Sequence, residues 1–215
     1  MVYIIDDDEV VRDGLGSLVR SVGNQARLYG STSTFLTDQR PEVPSCLVLD
    51  VRLPEISGLD FQDALFRQGI GIPVILMTGY GDIQMSVRGM KAGAVDFLTK
   101  PFRPQDALDA ISAALRKDRE RRKGDAQLAL LRYRLDALTP RERQVIGYVT
   151  AGLTNKQIAR ELDLSEITVK IHRGAVMKKM EAQSLADLVK MTEALRAAMV
   201  IEDVPLKRIK LITPP

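Results

Sequence analysis

The sequence has few of the residues that build disulfides and zinc sites. Its 215 residues include one cysteine and one histidine. The single Cys46 cannot form a disulfide within the chain, and one histidine excludes a zinc site of the His/Cys type. No apolar run approaches the roughly 20 residues that span a bilayer, and the N-terminus lacks the basic lead-in of a signal peptide. We therefore expect a soluble cytoplasmic protein.

The net charge is also small, at +3, but it is unevenly distributed. Residues 1–117 carry 12 basic and 15 acidic side chains, whereas residues 118–215 carry 19 basic and 13 acidic ones. The change falls at the segment RKDRERRK, residues 116–123, which is typical of a solvated helix end or linker. The length allows two small domains. An acidic first domain suits a cation or a protein partner, and a basic second domain suits a polyanion.

Short apolar runs alternate with helical patterns in the first half. The runs predict five strands, at residues 1–5, 25–29, 46–49, 74–77 and 94–98. Helical spacing occurs between them at residues 11–22 and 59–66, and further helices are predicted at 82–91 and 104–115. Strands that alternate with helices favour an open parallel sheet covered on both faces.

Polar side chains lie at one end of four of these strands. They are Asp6 and Asp7 after the first strand, Asp50 after the third, Thr78 after the fourth and Lys100 after the fifth. Ligands of parallel sheets bind outside the carboxyl ends of the strands, so we expect these side chains to converge. Converging carboxylates need a cation, and a ligand set of oxygens alone favours Mg²⁺. Beside such an ion, Asp50 can accept a phosphoryl group. Taken singly, each acidic residue has the alternative of a helix N-cap or a solvated turn residue.

Four motifs in this half resemble the receiver domain of two-component response regulators. They are IIDDDE at 4–9, LVLDVRLPEISG at 47–58, MTGYGD at 77–82 and KAGAVDFLTKPF at 91–102. The resemblance covers residues 1–117. It implies a flavodoxin-like α/β fold with a five-stranded parallel sheet in the order 2-1-3-4-5.

The receiver resemblance implies a metal site and a phosphoacceptor. Asp50 would be the phosphoacceptor, and Asp6 and Asp7 would hold Mg²⁺, or Mn²⁺ in its place, with Asp50 and the Arg52 backbone carbonyl. Asp8 is a third acid nearby, but the motif spacing favours Asp6 and Asp7. Arg52 and Tyr80 are bulky residues at the positions where family members tune hydrolysis of the phosphate, so we predict slow autodephosphorylation. The alternative for Tyr80 is that it only packs on its loop.

The same resemblance implies a switch around the phosphoryl group. Thr78 and Lys100 would bind phosphoryl oxygens. Phe97, three residues before the lysine, matches the aromatic switch position. The Lys100–Pro101 peptide bond matches one that is cis in the family.

The second half contains three successive helix starts. Thr139-Pro140-Arg141-Glu142 is a capping box with proline at the first helical position, and residues 154–157 repeat the capping pattern. After a tight turn at Asp163 and Leu164, Ser165 caps a third helix that runs towards Met180. This arrangement is that of a helix-turn-helix, whose second helix enters the major groove of DNA.

The third helix combines apolar and basic residues. Ile167, Ile171 and Val176 are candidates for its apolar face, beside a set of basic side chains: Lys170, Arg173, Lys178 and Lys179. A basic face of this kind is more often solvated than bound to DNA, so the pattern alone leaves both interpretations open.

Three motifs here resemble the four-helix DNA-binding domain of the LuxR/NarL family. They are LTPRERQV at 138–145, AGLTNKQIA at 151–159 and LSEITVKIHR at 164–173. By this likeness the base-facing positions are Lys170, Ile171 and Gly174, although Gly174 forfeits a side-chain contact. The candidates for phosphate contacts are Asn155, Lys156, Thr168, His172 and Lys179. A buried structural role is the alternative for His172.

The two resemblances define the predicted domain organisation. The receiver takes residues 1–117, a helical linker 118–137, the LuxR-type domain 138–200 and a loose tail 201–215. In the family, the fourth helix, here 184–199, packs the domain and pairs two copies on DNA.

A receiver joined to this domain resembles the FixJ/NarL response regulators of bacteria. The resemblance implies a cytoplasmic regulator that a sensor histidine kinase phosphorylates on Asp50, without contact to a membrane. It would then dimerise, bind promoter DNA and activate RNA polymerase, with no enzymatic activity beyond its own phosphoryl transfer and autodephosphorylation.

Two alternatives compete with this interpretation. A haloacid-dehalogenase-type phosphatase also forms an aspartyl phosphate, but it expects Asp-x-Asp after the first strand, whereas Asp50 follows the third and has Arg52 two residues on. The other alternative keeps DNA binding and makes the receiver a dimerisation platform without phosphorylation.

Overall fold

A computed structural model describes residues 1–79 and 83–198, with the backbone alone at 83 and 84. The chain forms two compact units, Met1–Lys123 and Gly124–Pro215. The first unit thus extends beyond the predicted receiver end at residue 117. No helix in the described part of the chain combines the length and apolar composition that crossing a membrane requires.

The first unit is built on a five-stranded parallel sheet. Its strands are β1 Val2–Ile5, β2 Ala26–Tyr29, β3 Cys46–Asp50, β4 Val74–Thr78 and β5 Asp96–Thr99. The order is β2-β1-β3-β4-β5, which confirms the prediction. Every residue of β1, β3 and β4 is buried, as expected for central strands that are covered on both faces.

In the described part of the first unit, five helices accompany this sheet. They are α1 Glu9–Ser21, α2 Thr32–Thr37, α3 Gly58–Arg67, α4 Ile83–Lys91 and α5 Pro104–Asp136. One apolar core joins Ile4 and Val48 to residues of α1 and α5, and the second joins Ile5 and Leu49 to residues of α2 and α3. Alternate residues of each strand therefore enter opposite cores, which fixes the strand register.

The helix α5 is much longer than the predicted helix at 104–115. It has 33 residues and includes nearly all of the segment predicted as a helical linker, 118–137. Its last turns belong to the second unit, where Leu135 is buried in the apolar core.

Among its described residues, the second unit contains four further helices, as predicted. They are α6 Pro140–Thr150, α7 Asn155–Leu162, α8 Glu166–Met180 and α9 Leu185–Ala197. Both predicted capping boxes form, with Thr139 and Glu142 at α6 and Thr154 and Gln157 at α7. Asp163 ends α7 in the left-handed conformation, with φ 53°, and makes the tight turn before α8. The end of the predicted helix 184–199 and the tail 201–215 lie outside the described residues.

Candidate functional site

Three carboxylates meet at the carboxyl edge of the parallel sheet. Asp6 follows β1 and is fully buried, Asp50 ends β3 with 7% of its surface exposed, and Asp7 is exposed. One oxygen atom of each lies within 4.8 Å of the other two. The structure thus brings together the three acidic residues that the sequence predicted to converge. Their ligand atoms are all oxygens, which suits a hard divalent cation.

Lys100 connects two of these carboxylates. Its Nζ donates to Asp6 Oδ2 and to Asp50 Oδ2, each at 2.6 Å. Burial raises the pKa of Asp6, although Lys100 opposes that shift. Burial also acts to lower the pKa of Lys100, but its hydrogen bonds to Asp50 and Asp6 outweigh this effect and raise it. The ammonium group therefore remains charged at neutral pH beside both carboxylates.

The loop after β3 fixes the position of Asp50. The Arg52 backbone N–H donates to Asp50 Oδ1 at 3.0 Å, and the Gly58 N–H donates to the Val51 carbonyl at 2.9 Å. A Cβ atom on Gly58 would lie 2.2 Å from the Asp50 carbonyl oxygen, so only glycine allows this close approach. The sequence motif contained Gly58, but its contact with the Asp50 backbone could not be read from the motif.

Asp8 has a different role from its two neighbours. Its Oδ1 accepts from the N–H groups of Val10 at 2.9 Å and Val11 at 3.3 Å, which makes it the N-cap of α1. Its own N–H donates to Asp6 Oδ1 at 3.0 Å. The N-cap alternative therefore applies to Asp8, while Asp6 and Asp7 remain beside Asp50.

The predicted switch residues lie on the two strands next to this cluster. Thr78 is fully buried at the end of β4, and its carbonyl accepts from the Lys100 N–H at 2.7 Å. Phe97 is half-buried in β5 and packs against the apolar core on the side of α3. The Lys100–Pro101 peptide bond is cis, as the resemblance implied. Tyr80, one of the two residues expected to slow autodephosphorylation, lies outside the described residues.

The helix α8 has one buried and one exposed face. Val169, Val176 and Met180 are fully buried, at a spacing of seven and four residues. Ile167 and Ile171, the other two apolar candidates of this helix, lie on its opposite side and are exposed, which is what the base-facing position predicted for Ile171 requires. Only Val176 of the three predicted apolar residues is buried.

The three predicted base-facing residues share the exposed face of α8. Lys170, Ile171 and Gly174 are all exposed. Their spacing of one, three and four residues places them on neighbouring turns of one helix surface. Such a surface can enter a groove without disturbing the packing of the domain.

The predicted phosphate contacts are less uniform. Lys156 is exposed at the start of α7, whereas Thr168 and His172 are half-buried on α8. The alternative of a structural role required His172 to be buried, but its side chain is only half-buried. The Asn155 side-chain oxygen accepts a hydrogen bond from Arg173 Nη1 at 3.2 Å. This bond joins α7 to α8, and the sequence motifs do not reveal it.

Lys179 is engaged within the domain. Its Nζ donates to Glu142 Oε2 at 2.7 Å and to the Ala137 carbonyl at 3.2 Å. Glu142 is buried and also accepts from the Thr139 N–H at 2.7 Å. Burial acts to raise the pKa of Glu142, but the bonds from Lys179 and Thr139 outweigh it and lower the pKa. A change at Lys179 will therefore affect folding as well as any contact with DNA.

Both halves of the chain match known protein families. Residues 2–112 match the response regulator receiver domain, and residues 136–192 match the bacterial regulatory proteins of the luxR family. The two matches contain, respectively, the carboxylate cluster and the exposed face of α8.

Named relatives resemble the chain over most of its length. Nodulation protein W of Bradyrhizobium diazoefficiens is 54% identical over 195 residues, which are 91% of this chain and 86% of that protein. Response regulator protein TmoT of Ectopseudomonas mendocina is 46% identical over 199 residues, 93% of this chain and 90% of that protein.

Solved structures show the same likeness. The structure of response regulator StyR has a TM-score of 0.80 and 46% identity, and the match covers 89% of this chain and 97% of that one. Full-length FixJ from B. japonicum has a TM-score of 0.54 and 40% identity, with 93% of this chain and 98% of that chain covered.

Proposed function

The chain belongs to the two-component response regulators that join a receiver domain to a LuxR-type DNA-binding domain, and from that premise we propose that a sensor histidine kinase phosphorylates Asp50. Its family is one of DNA-binding transcriptional regulators rather than of enzymes. The observation that carries the proposal is the convergence of Asp6, Asp7 and Asp50, with Lys100 hydrogen-bonded to two of them at 2.6 Å.

The carboxylate cluster fits Mg²⁺, or Mn²⁺ in its place. Its three carboxylates supply oxygen atoms within 4.8 Å of one another, and hard cations prefer oxygen ligands. Asp6, Asp7, Asp50 and the Arg52 carbonyl would hold the ion. When bound, it would offset the negative charge of the carboxylates and of the incoming phosphoryl oxygens.

The residues around Asp50 suit phosphoryl transfer. A carboxylate oxygen of Asp50 attacks the phosphorus atom of the kinase phosphohistidine, the P–N bond breaks, and its electron pair leaves with the imidazole. Lys100, already beside Asp50, offsets charge on the phosphoryl oxygens, and the Thr78 hydroxyl donates to one of them. Water then hydrolyses the acyl phosphate slowly in this proposal, because Arg52 and Tyr80 are bulky residues at the two sequence positions that tune this step in the family.

The second domain provides the output. Movement of Thr78 and Phe97 towards the phosphoryl group changes the surface of α4 and β5, and the cytoplasmic protein dimerises. Two copies of α8 then bind promoter half-sites about one helical turn of DNA apart and act on RNA polymerase as an activator. In each copy Lys170, Ile171 and Gly174 face the bases. The proposed phosphate contacts come from Asn155, Lys156, Thr168, His172 and Lys179.

Labelling by a small phosphodonor tests the phosphorylation step. We expect acetyl phosphate to label the wild-type chain only when Mg²⁺ is present, and to leave Asp50→Asn unlabelled. Asp8→Asn is the matched control, because asparagine also caps helices and Asp8 is not among the clustered carboxylates. It should be labelled like the wild type. An unlabelled wild type, or a labelled Asp50→Asn, would contradict the proposal.

A further inference from the structure

Two isoleucines of α8 are unusually exposed for large aliphatic side chains. Ile167 exposes 73% of its surface and Ile171 65%, whereas Val169, which lies between them in sequence, is fully buried. The helix therefore has apolar residues on both faces, and those on the outer face make no contribution to the core. Together, the two side chains form an apolar surface on neighbouring turns of the helix, the kind of surface that a binding partner covers.

The outer face of α8 has a defined composition. Ile167 and Ile171 are four residues apart, with Lys170 between them on the same face, and Gly174 follows one turn later. A Cβ atom on Gly174 would meet no atom of the described residues within 4 Å. The face thus presents two aliphatic side chains and one ammonium group, followed by bare backbone that permits close approach of another surface.

The chemistry of this face selects its partner. Isoleucine has no hydrogen-bond donor, so it can bind neither phosphate oxygens nor the acceptor atoms of guanine. Among the standard bases, the C5-methyl of thymine is the apolar group that the major groove displays, while Lys170 can donate to guanine O6 and N7. A protein partner with an apolar surface would have to bury the Lys170 ammonium group beside the isoleucines, which is costly.

We infer that Ile167 reads thymine, together with Ile171, by packing against its C5-methyl group. The preferred half-site then carries thymines near the base that Lys170 contacts. This inference rests on the proposed DNA binding and adds Ile167, which is not among the predicted base-facing residues.

Removing single methyl groups from the DNA tests this inference. The full chain, treated with acetyl phosphate and Mg²⁺, is used to select its preferred duplex from a random pool. Each thymine of that duplex is then replaced by uracil, which removes the C5-methyl group alone. We expect about a fourfold loss of affinity at each contacted thymine, the effect of withdrawing one buried carbon.

Two variants assign the contacts. In Ile167→Ala, replacing the thymine that Ile167 contacts by uracil should no longer lower the affinity. Replacing the thymine that Ile171 contacts should still lower it. Ile171→Ala should show the reverse, so each variant is the control for the other. Both side chains are exposed, so neither change should alter folding, which the thermal unfolding of each variant will verify.

Several results would overturn the inference. If the selected duplex binds more tightly than random DNA but uracil has no effect at any thymine, DNA binding stands and methyl reading is refuted. Loss of the uracil effect in Ile171→Ala alone would refute the role of Ile167. If Ile167→Ala changes the oligomeric state instead of the sequence preference, the face contacts protein. Failure to enrich any duplex would refute the proposed DNA binding itself.

Discussion

The two domains place the side chains of their proposed sites in opposite ways. In the receiver, Asp6 and Thr78 are fully buried and Asp50 nearly so, and Lys100 joins two of the carboxylates through 2.6 Å hydrogen bonds. In the DNA-binding domain, Lys170 and Ile171 project from a helix whose other face forms the core. A small ion and a phosphoryl group need ligands that converge in a cleft, whereas the major groove needs a protruding surface.

This difference predicts how each region responds to substitution. Residues that converge on one point depend on one another, so a change at any of them should disable the whole site. Residues that protrude act more independently, so their changes should be smaller and should add up.

A glycine in each region offers the largest contrast. In Gly58→Ala, the new Cβ would lie 2.2 Å from the Asp50 carbonyl oxygen and 2.9 Å from the Val51 Cα. Because these are backbone atoms, the loop would have to shift to relieve the clash. We expect a loss of about 3 kcal/mol in the unfolding free energy of the receiver, with weaker labelling of Asp50. Denaturant titration and acetyl phosphate labelling measure the two effects.

The matched control is Gly174→Ala, on the exposed face of α8. It should raise the stability of the DNA-binding domain by up to about 1 kcal/mol, because alanine favours the helix and the new methyl group meets no described atom within 4 Å. Equal destabilisation by the two changes would contradict the proposed contrast.

Two lysines should separate base reading from phosphate binding. Lys170→Ala should weaken binding to the preferred duplex by about 1–3 kcal/mol and relax its preference at one base pair. Lys156→Ala should weaken binding to all sequences alike and reduce the salt dependence. Titrations of specific and random duplexes at several salt concentrations distinguish these outcomes. An equal loss on both duplexes for Lys170→Ala would refute its role in base reading.

The two capping boxes offer a further comparison, within the DNA-binding domain. Glu142→Ala removes a buried carboxylate bonded to Thr139 and Lys179, and should cost about 1–2 kcal/mol of unfolding free energy. Gln157→Ala, at the equivalent position of α7, removes an exposed cap that accepts only from Thr154, and should cost less. Thermal unfolding of both variants tests the difference, and equal losses would show that the ion pair with Lys179 contributes nothing.

The capping pair also predicts a pH dependence. The folded domain lowers the pKa of Glu142 below its usual 4.5, so its stabilisation is complete above that value. It is lost as the pH falls through the lower pKa of the folded state. Glu142→Gln should therefore reduce the decline in stability below about pH 4.5, where the unfolded state takes up the proton first. An unchanged decline would contradict this sign.

The strands and the carboxylate cluster could be predicted because their pattern is local. Buried parallel strands give continuous apolar runs, and their carboxyl ends must share one edge of the sheet. The helix α2 was not located, because only Thr32 and Phe35 of its six residues are buried and a stretch this short has no periodicity.

The true length of α5 depends on contacts that the sequence does not display. Its charged segment suggested a linker, but Asp118 is fully buried and accepts from the Ser45 N–H at 2.8 Å. Arg121 and Arg122, one turn further along, bond the same carboxylate at 2.7 Å. The charges therefore stabilise the helix instead of ending it.

The isoleucines of α8 show a different limit of prediction. An apolar residue on a helix is normally assigned to the core, but of the three apolar candidates of α8 only Val176 is buried, while Ile167 and Ile171 are exposed. Such exceptions are expected at surfaces that contact a partner, since the partner rather than the core covers the side chain.

The central claim is that phosphorylation of Asp50 in one domain controls DNA binding by the other, and affinity measured with and without phosphodonor tests it most directly. For the full wild-type chain, acetyl phosphate with Mg²⁺ should raise the affinity for the selected duplex and convert the protein to a dimer. In Asp50→Asn the same treatment should change neither. An affinity that does not respond in the wild type, or that rises equally in Asp50→Asn, would contradict the claim.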